Sequence, residues 1–523
     1  MAEKLASRAA GSKEPQFGSA ASTRHNKIAR TSLASETQIP ESATTVDRQD
    51  HALQHDTSVI GRLPNELLLI VWKHLRPFIK TYTYRGKRKA SVGKEIVASL
   101  PYPFILSWVS SRWRTLAIGT PELWNHVDVS PVSSGRILEF QLQRSQAYPL
   151  RVELRCHADK PFEPAVPGPA SRMQDLVELL ITSSADRWES LDVTIDGPLA
   201  VFCTDSNRSL AFQLQDVSCP RLRELSIKDD RRCRGDESFT ILKKRPRDLS
   251  RLIVSGAPLK SHLHLFPGLS YLRLESVDYL PTAKQLCDAL ATCISLTEFV
   301  TVGVCFWDWA KDRQPIHLPA LRTLEVSLTG SDGGEEFTAH LFTCLDAPNM
   351  RELRFSNCDG YAVACVITVS NKRPAFSHQI TNVALCHTRA IPESRAPRRY
   401  ATHTLLAKFC ACFPSVQELR LCPCWATEVM GVLKRVDRVS NVEGIFCSCL
   451  RTLTLDNQYH TTRGLGGGAP SLELEGELRN LIEFRRSEDI PIEHVNLARH
   501  VSSMFCSSSL TWLRENVQLK ITA

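Results

Sequence analysis

A spaced apolar triplet, with leucine or a similar side chain at its first, fourth and sixth positions, returns beyond about residue 185 of this 523-residue chain. Weaker copies lie at Trp188/Leu191/Val193 and Leu296/Phe299. Between residues 188 and 450 the copies are spaced by about 29 residues on average, which is typical of a repeat array. The clear copies are Leu222/Leu225/Ile227, Leu249/Leu252/Val254, Leu269/Leu272/Leu274, Leu321/Leu324/Val326, Met350/Leu353/Phe355, Ile380/Val383/Leu385, Val416/Leu419/Leu421 and Leu450/Leu453/Leu455.

Prolines accompany the triplet and indicate what it forms. Five copies have a proline two residues before the first apolar position: Pro220, Pro267, Pro319, Pro348 and Pro414. Proline fixes φ and needs no ladder hydrogen bond, so it suits the entry to a strand. We therefore predict short parallel strands starting near residues 222, 249, 269, 321, 350, 416 and 450. The fold class is α/β, and residues 186–523 are expected to form a leucine-rich-repeat-like solenoid, a horseshoe with helices or loops between strands.

A small helical unit is predicted ahead of the repeats, over residues 59–128. Four of the nine tryptophans lie between Trp72 and Trp124. Pro64 and Glu66 suit the first turn of a helix, where an N–H lacks a partner and an acidic side chain complements the dipole. Apolar side chains then recur at helical spacing. So small a unit encloses little core, and we expect an apolar face to remain for a partner.

Two runs in this unit together resemble the F-box motif. The first is Leu63-Pro-Asn-Glu-Leu-Leu, and the second is Val109-Ser-Ser-Arg-Trp-Arg-Thr-Leu over residues 109–116, which continues to Trp124. The chain looks most like the F-box-like proteins of mushroom-forming fungi, which pair this motif with a degenerate leucine-rich array. An insertion between residues 76 and 103 and Ser111 depart from the motif. The resemblance implies a three-helix F-box unit that docks the Skp-type adaptor of a cullin ubiquitin ligase. The residues matched to adaptor binding are Leu63, Pro64, Leu67, Ile70, Val71, Val109, Trp113, Leu116 and Trp124.

The repeats would then hold the substrate of an SCF-type ligase. The third and fifth positions of each copy should face outward on the concave side, and together they carry four basic and five acidic residues. A nucleic-acid groove would be a basic stripe, so this mixed surface favours a protein ligand. An alternative is a repeat scaffold that binds partners without any link to ubiquitin. The residues predicted to bind substrate are Glu224, Tyr271, Arg273, Glu352, Arg354, Glu418 and Arg420.

Neither a metal centre nor an active site is predicted. The pairs Cys410/Cys412, Cys422/Cys424 and Cys447/Cys449 have a single intervening residue, whereas structural zinc sites usually have two or more. Cys424 and Cys358 occupy the Asn/Cys position of their repeats and have a packing explanation. The chain contains no zinc-protease, serine-hydrolase or kinase signature. We therefore expect no cofactor, no metal and no catalytic residue.

Two segments lie outside the helical unit and the repeats. Residues 1–58 mix charges with Ser and Thr and have no apolar periodicity, so we predict a disordered tail. Residues 129–185 are interpreted as a connecting segment.

The net charge is +8, no apolar run reaches the ~18–20 residues of a membrane span, and no signal peptide is seen. The predicted location is cytoplasmic or nuclear, without membrane attachment. The basic clusters at 85–89 and 243–247 are solvated loops or nuclear import signals.

Overall fold

A computed structural model describes residues 59–79, 101–130, 133–157, 169–196, 210–229, 239–277, 281–304, 315–327, 340–356, 360–372, 374–386, 400–434, 436–437, 444–456 and 471–522. The chain divides into two compact units, Met1–Ile70 and Val71–Ala523. The predicted tail, the basic cluster at 85–89 and most of the insertion lie outside the described residues. No helix in the described part of the chain is both long and apolar enough to cross a membrane.

The first unit contributes a 3₁₀ turn, Val59–Arg62, and the start of helix α1, Asn65–Ile79. The carbonyl of Pro64 accepts a hydrogen bond from the Leu68 N–H at 3.1 Å, so proline stands just ahead of the helix, as predicted from its missing donor. The helix continues into the second unit from Val71 onward.

Two short helices follow in the second unit, α2 (Tyr102–Ser107) and α3 (Ser111–Gly119), and a 3₁₀ turn, Pro121–Trp124, comes next. Ser110 separates α2 from α3 because its backbone is extended and its side chain caps α3, accepting from the Trp113 N–H at 3.2 Å. Proline at the start of the 3₁₀ turn ends α3.

One parallel sheet dominates the second unit, and its strands are joined in chain order. Each strand lies beside its neighbours in sequence, apart from two-residue strands that pair separately. Among the described residues the fourteen strands are β1 His126–Val129, β2 Leu150–His157, β3 Trp188–Asp196, β4 Glu224–Asp229, β5 Arg251–Ser255, β6 Tyr271–Glu275, β7 Glu298–Val302, β8 Thr323–Ser327, β9 Glu352–Ser356, β10 Asn382–Cys386, β11 Glu418–Leu421, β12 Thr452–Leu455, β13 His494–Ala498 and β14 Gln518–Thr522.

The apolar triplets set the register of this sheet. Leu225 on β4 pairs with Leu252 on β5, which pairs in turn with Leu272 on β6, and these side chains are buried in the core. Because side chains alternate along a strand, the intervening third and fifth positions lie on the opposite face. The predicted α/β class and the parallel strands near residues 222, 249, 269, 321, 350, 416 and 450 are confirmed.

Helices connect many of the strands and pack on the buried face of the sheet. Helix α7, Ala283–Ala291, starts at a capping box in which Thr282 and Gln285 bond reciprocally. The remaining helices of the described residues are α4 Gly135–Arg144, α5 Pro169–Ser184, α6 Leu210–Gln215, α7 Ala283–Ala291, α8 Gly360–Lys372, α9 Pro374–His378, α10 Tyr400–Cys412, α11 Pro423–Leu433, α12 Ser471–Ser487, α13 Arg499–Ser502 and α14 Ser507–Asn516.

The sheet extends beyond the recognised triplet copies at both ends. At the start, β1 and β2 precede the first recognised copy, and the alternating Leu150, Val152 and Leu154 of β2 are buried. The segment 129–185 therefore contributes a strand and two helices to the same fold. At the end, β13 and β14 continue the ladder in parallel.

Three consecutive strands, β5, β6 and β7, end in a left-handed corner. The next residues are Gly256, Ser276 and Gly303, with φ values of 65°, 44° and 60°. The N–H of each corner residue donates to the carbonyl of the last residue of the following strand, at 2.7 or 2.8 Å. These corners satisfy backbone groups at the edge of the sheet where the ladder stops.

His262 is fully buried in the 3₁₀ helix Leu259–Leu265, and its partners determine its tautomer. Nδ1 lies 2.9 Å from the Pro258 carbonyl, which can only accept, so Nδ1 carries the proton. Nε2 accepts from the Ile241 N–H at 3.4 Å. Burial, with a smaller effect of His264, lowers the pKa of His262 to about 4, although the bond to Pro258 opposes this. The neutral ring is part of the folded structure.

We expect His262 to make the fold sensitive to acid. Its pKa is about 4 when folded and about 6.5 when unfolded, so between these values the unfolded chain binds more protons and stability falls as the pH falls. From pH 7 to pH 5 the loss should be about 2 kcal/mol, measured as a shift in urea midpoint. His262→Gln should abolish this part of the pH dependence, whereas His500→Gln, at an exposed site, should retain it. An unchanged slope in His262→Gln would contradict the assignment.

Candidate functional site

Large apolar side chains are exposed ahead of the sheet, on the helices and on the turn between α2 and α3. In the first unit, α1 exposes Leu67 (47%) and Ile70 (51%). In the second unit the exposed apolar set, as we call it, consists of Val71, Leu75, Ile105, Trp108 and Val109, whose exposed fractions run from 41% to 65%. Single exposed apolar residues are ordinary, but several of this size in so small a part of the chain are typical of a protein-interaction site.

The helices that carry the exposed apolar set are held together by aromatic and ionic contacts. Trp72 is fully buried and packs edge-on against Trp113, with ring centroids 4.9 Å apart. Lys73 Nζ lies 2.7 Å from Glu122 Oε2 and joins α1 to the 3₁₀ turn after α3. Trp113 therefore contributes to the packing within the second unit.

Trp124 is the centre of the packing between the helices and the start of the sheet. It is 1% exposed, and its ring lies edge-on to Phe104 (5.2 Å) and Phe140 (5.5 Å). Its indole N–H donates to the Ala117 carbonyl at 2.8 Å. A tryptophan so enclosed stabilises the helices but has no surface with which to contact a partner.

The structure thus separates the residues matched to adaptor binding by their exposure. Trp124 is buried, and Leu63, Trp113 and Leu116 are partly buried. The exposed members are Pro64, Leu67, Ile70, Val71 and Val109.

The sequence reasoning left Leu75, Ile105 and Trp108 out of the site. Trp108 is the most exposed of these, at 65%. Its place follows from its neighbours, because burial of Leu106 and Ser107 turns Ile105 and Trp108 away from the core. In the sequence, Ile105, Leu106 and Val109 form an apolar stretch that indicates a helix. Helical phase alone does not say which face of that helix is buried.

The outward face of the sheet, which holds the predicted substrate residues, is a network of paired charges. Arg354 Nε donates to Glu352 Oε1 at 2.7 Å, and Nη1 lies 3.8 Å from both Glu298 and Glu325. Burial lowers the pKa of Arg354, but the bond to Glu352 and the carboxylate charges outweigh it, so the pKa is raised. One guanidinium therefore joins three strands.

Other predicted residues pair in the same way. Arg273 Nη2 lies 3.0 Å from Glu275 Oε2, and Arg420 Nη2 lies 3.7 Å from Glu418 Oε1. The Arg251 guanidinium lies over the Tyr271 ring, 3.5 Å from its centroid. Glu224 is exposed. The face presents both signs of charge side by side, as the sequence indicated, and one well-placed aromatic ring.

The first strands carry a second group of charges that the sequence reasoning missed. Arg155 Nη2 lies 2.6 Å from Glu153 Oε1 and 3.5 Å from Asp128 Oδ2. Lys228 Nζ lies 2.9 Å from Asp192 Oδ2 on the neighbouring strand. The outward face therefore continues through β1–β3, ahead of the residues chosen from the repeat pattern. Recognition of the alternating pattern in β2 would have found it.

The cysteines show no arrangement for a metal within the described residues. Cys410, Cys412, Cys422 and Cys447 are buried, and Cys449 is exposed. In the described part of the chain no three His, Cys, Asp or Glu side chains converge as ligands would. Cys358 and the Cys424 side chain lie outside what the structure describes.

The comparisons with known proteins leave the family open. No protein-family model matches the chain. No curated protein sequence matches it either. The F-box-like and leucine-rich-repeat interpretations therefore depend on the residues themselves.

Proposed function

We propose that this protein is the substrate-recognition subunit of an SCF-type ubiquitin ligase. The helices around residues 59–124 would form a three-helix F-box unit that docks a Skp-type adaptor. The parallel strands would form a leucine-rich-repeat-like solenoid that holds a protein substrate. The observation that carries the proposal is the exposure of large apolar side chains on helices with F-box-like sequence, directly ahead of a chain-ordered parallel sheet.

The exposed apolar set supplies the binding energy in this proposal. Removal of apolar surface from water contributes roughly 25 cal/mol per Å². Trp108 and Val109 are adjacent in sequence and are the two most exposed members of the set. Buried aromatic anchors usually dominate an interface, so these two residues are the first to test.

The outward face of the sheet supplies recognition. Tyrosine and arginine are frequent energetic centres of protein interfaces, and Tyr271 with Arg251 and Arg273 provides such a group. The alternation of Arg354 and Arg420 with carboxylates supports a protein ligand over a nucleic acid, which would need a basic stripe. The subunit would catalyse nothing itself. It would raise the effective concentration of its target near the ubiquitin-conjugating enzyme.

The adaptor interface can be tested by capture of adaptor and cullin on the purified full-length protein. Trp108→Ala combined with Val109→Ala should weaken adaptor binding by about 2–4 kcal/mol, more than ~20-fold, because both side chains would be buried on docking. The dissociation constant, measured by calorimetry, is the readout. The matched control is Tyr148→Ala combined with Ile294→Ala, which removes two exposed side chains elsewhere and should bind normally.

Two results would count against the proposal. If the wild type captures neither adaptor nor cullin, the protein is better described as a repeat scaffold without a link to ubiquitin. If it captures both and the folded Trp108/Val109 variant binds equally well, docking does not use these helices. Circular dichroism checks that the sheet remains folded in each variant.

A further inference from the structure

Two buried cysteines meet beneath the second half of the sheet. Cys410 belongs to α10 and Cys447 to the turn that precedes β12, and each is 5% exposed. The Cys447 thiol donates a hydrogen bond to the Cys410 carbonyl at 3.7 Å. Both cysteines line one small apolar cavity together with Leu406, Phe409 and Phe413. The Cys447 sulfur therefore lies next to Cys410, and both side chains face the same enclosed space.

A buried guanidinium stands beside this pair. Arg485, on α12, is fully buried and donates to the carbonyls of Cys447 at 2.9 Å and Phe446 at 3.2 Å. Within the described residues its partners are carbonyl oxygens, and no carboxylate forms an ion pair with it. Burial of a cation without an anion is unfavourable. A thiolate at Cys447 would supply the missing negative charge.

The surroundings distinguish the two thiols. Interaction with the Cys410 thiol lowers the pKa of Cys447, and Arg485 lowers it further, which together outweigh burial. Interaction with Cys447, followed by burial, raises the pKa of Cys410. Because Arg485 contacts Cys447 directly, we assign Cys447 as the nucleophile and Cys410 as the thiol that resolves its oxidised form.

We propose that Cys410 and Cys447 form a reversible disulfide when the protein meets a peroxide. The Cys447 thiolate attacks one peroxide oxygen and the O–O bond breaks, which gives a sulfenic acid and hydroxide. The Cys410 sulfur then attacks the sulfenic sulfur. An S–S bond forms, the S–O bond breaks, and the leaving hydroxyl takes the Cys410 proton as water. The hydroxide from the first step takes up the proton that Cys447 released on ionising. Overall, two thiols lose two electrons in forming the disulfide, and the peroxide is reduced to two waters.

The cavity argues for a small oxidant. Its volume is about 10 Å³, no more than one water molecule needs, and its lining is apolar. Hydrogen peroxide would need only a small local opening to reach the sulfurs, whereas oxidised glutathione would need the surrounding elements to unfold. The new bond would join α10 to the turn before β12, at the buried side of two neighbouring strands. This site is independent of adaptor binding.

The test uses the reduced full-length protein in its native state. It is treated with hydrogen peroxide, free thiols are then blocked with N-ethylmaleimide, and a non-reducing digest is examined by mass spectrometry. We expect the peptides containing Cys410 and Cys447 to appear as one species lighter than their sum by two hydrogen atoms, and dithiothreitol should separate them. Oxidised glutathione at the same concentration should give much less of it.

Variants check the assignment. Cys447→Ser should lose the linked peptide and leave Cys410 free for blocking, whereas Cys449→Ser, which removes the exposed neighbour, should retain it. The proposal is overturned if native wild-type protein links Cys447 to Cys449, or if Cys410 and Cys447 both remain reduced. It is equally overturned if the linkage forms only after denaturant is added. The wild-type result is decisive even where a variant does not fold.

Discussion

Gly256→Ala is expected to destabilise the sheet by more than about 3 kcal/mol. Gly256 has a φ of 65°, where an L side chain is strained, and the strain is the smaller part of the effect. A Cβ built at Gly256 would lie 1.9 Å from the Asp229 carbonyl oxygen and 2.9 Å from its carbon. Both are backbone atoms of β4, so the clash cannot be relieved by rotation of a side chain.

Urea denaturation followed by circular dichroism measures this effect. The control is Gly476→Ala, which lies inside helix α12 and has no atom within 4 Å of the added Cβ. That variant should be more stable than the wild type by about 1 kcal/mol, because alanine favours the helix. If Gly256→Ala unfolds at the same urea concentration as the wild type, the left-handed corner after β5 is wrong.

The second large effect is expected for Trp124→Ala, which should cost about 3–5 kcal/mol in the stability of the helices and the first strands. The change leaves a cavity between Phe104 and Phe140 and removes the hydrogen bond to the Ala117 carbonyl. Trp124→Phe should lose less, since it retains most of the ring contacts.

Hydrogen exchange of the amides in α2 and α3 measures the loss locally, which matters because a repeat array need not unfold in one step. Trp108→Ala is the matched control: Trp108 is 65% exposed, so exchange should change little. Comparison of the two variants distinguishes a side chain that stabilises the helices from one that contacts the adaptor. Trp124→Ala should weaken adaptor capture only through loss of structure, whereas Trp108→Ala should weaken it with the structure intact. Normal exchange in Trp124→Ala would contradict its central place in the packing.

The sequence predicted seven of the strands, each from a complete triplet. Leu225 and Ile227, for example, both became buried side chains of β4. The first strands were missed because β2 alternates Leu150, Val152 and Leu154, a pattern shared by any half-buried strand. The left-handed corners were not predicted either. The glycine two residues after Val254 is a signal only once the strand end is known.

The candidate site was predictable by residue type and less so by orientation. Helical spacing placed Ile70 and Val71 on one face, and both are exposed. Trp113 and Trp108 are equally apolar, and only packing against Trp72 shows that the first is partly covered. The alternation along strands gave the outward charges, but the sharing of Arg354 among three carboxylates depends on cross-strand register. The triplets align neighbouring strands, but they do not say which of the nearby carboxylates a given guanidinium will contact.

The chain order of the sheet has a consequence for how this protein is made. Every strand from β2 onward lies beside the strand of the sheet that precedes it in the chain. A growing chain can therefore add each strand to a surface already present behind it, and no strand has to wait for a partner from the far end of the chain. We expect the order of assembly during translation to run from the amino-terminal strands onward. At each stage the most recently added strand would be the exposed edge of the sheet, and a chaperone would bind at that edge.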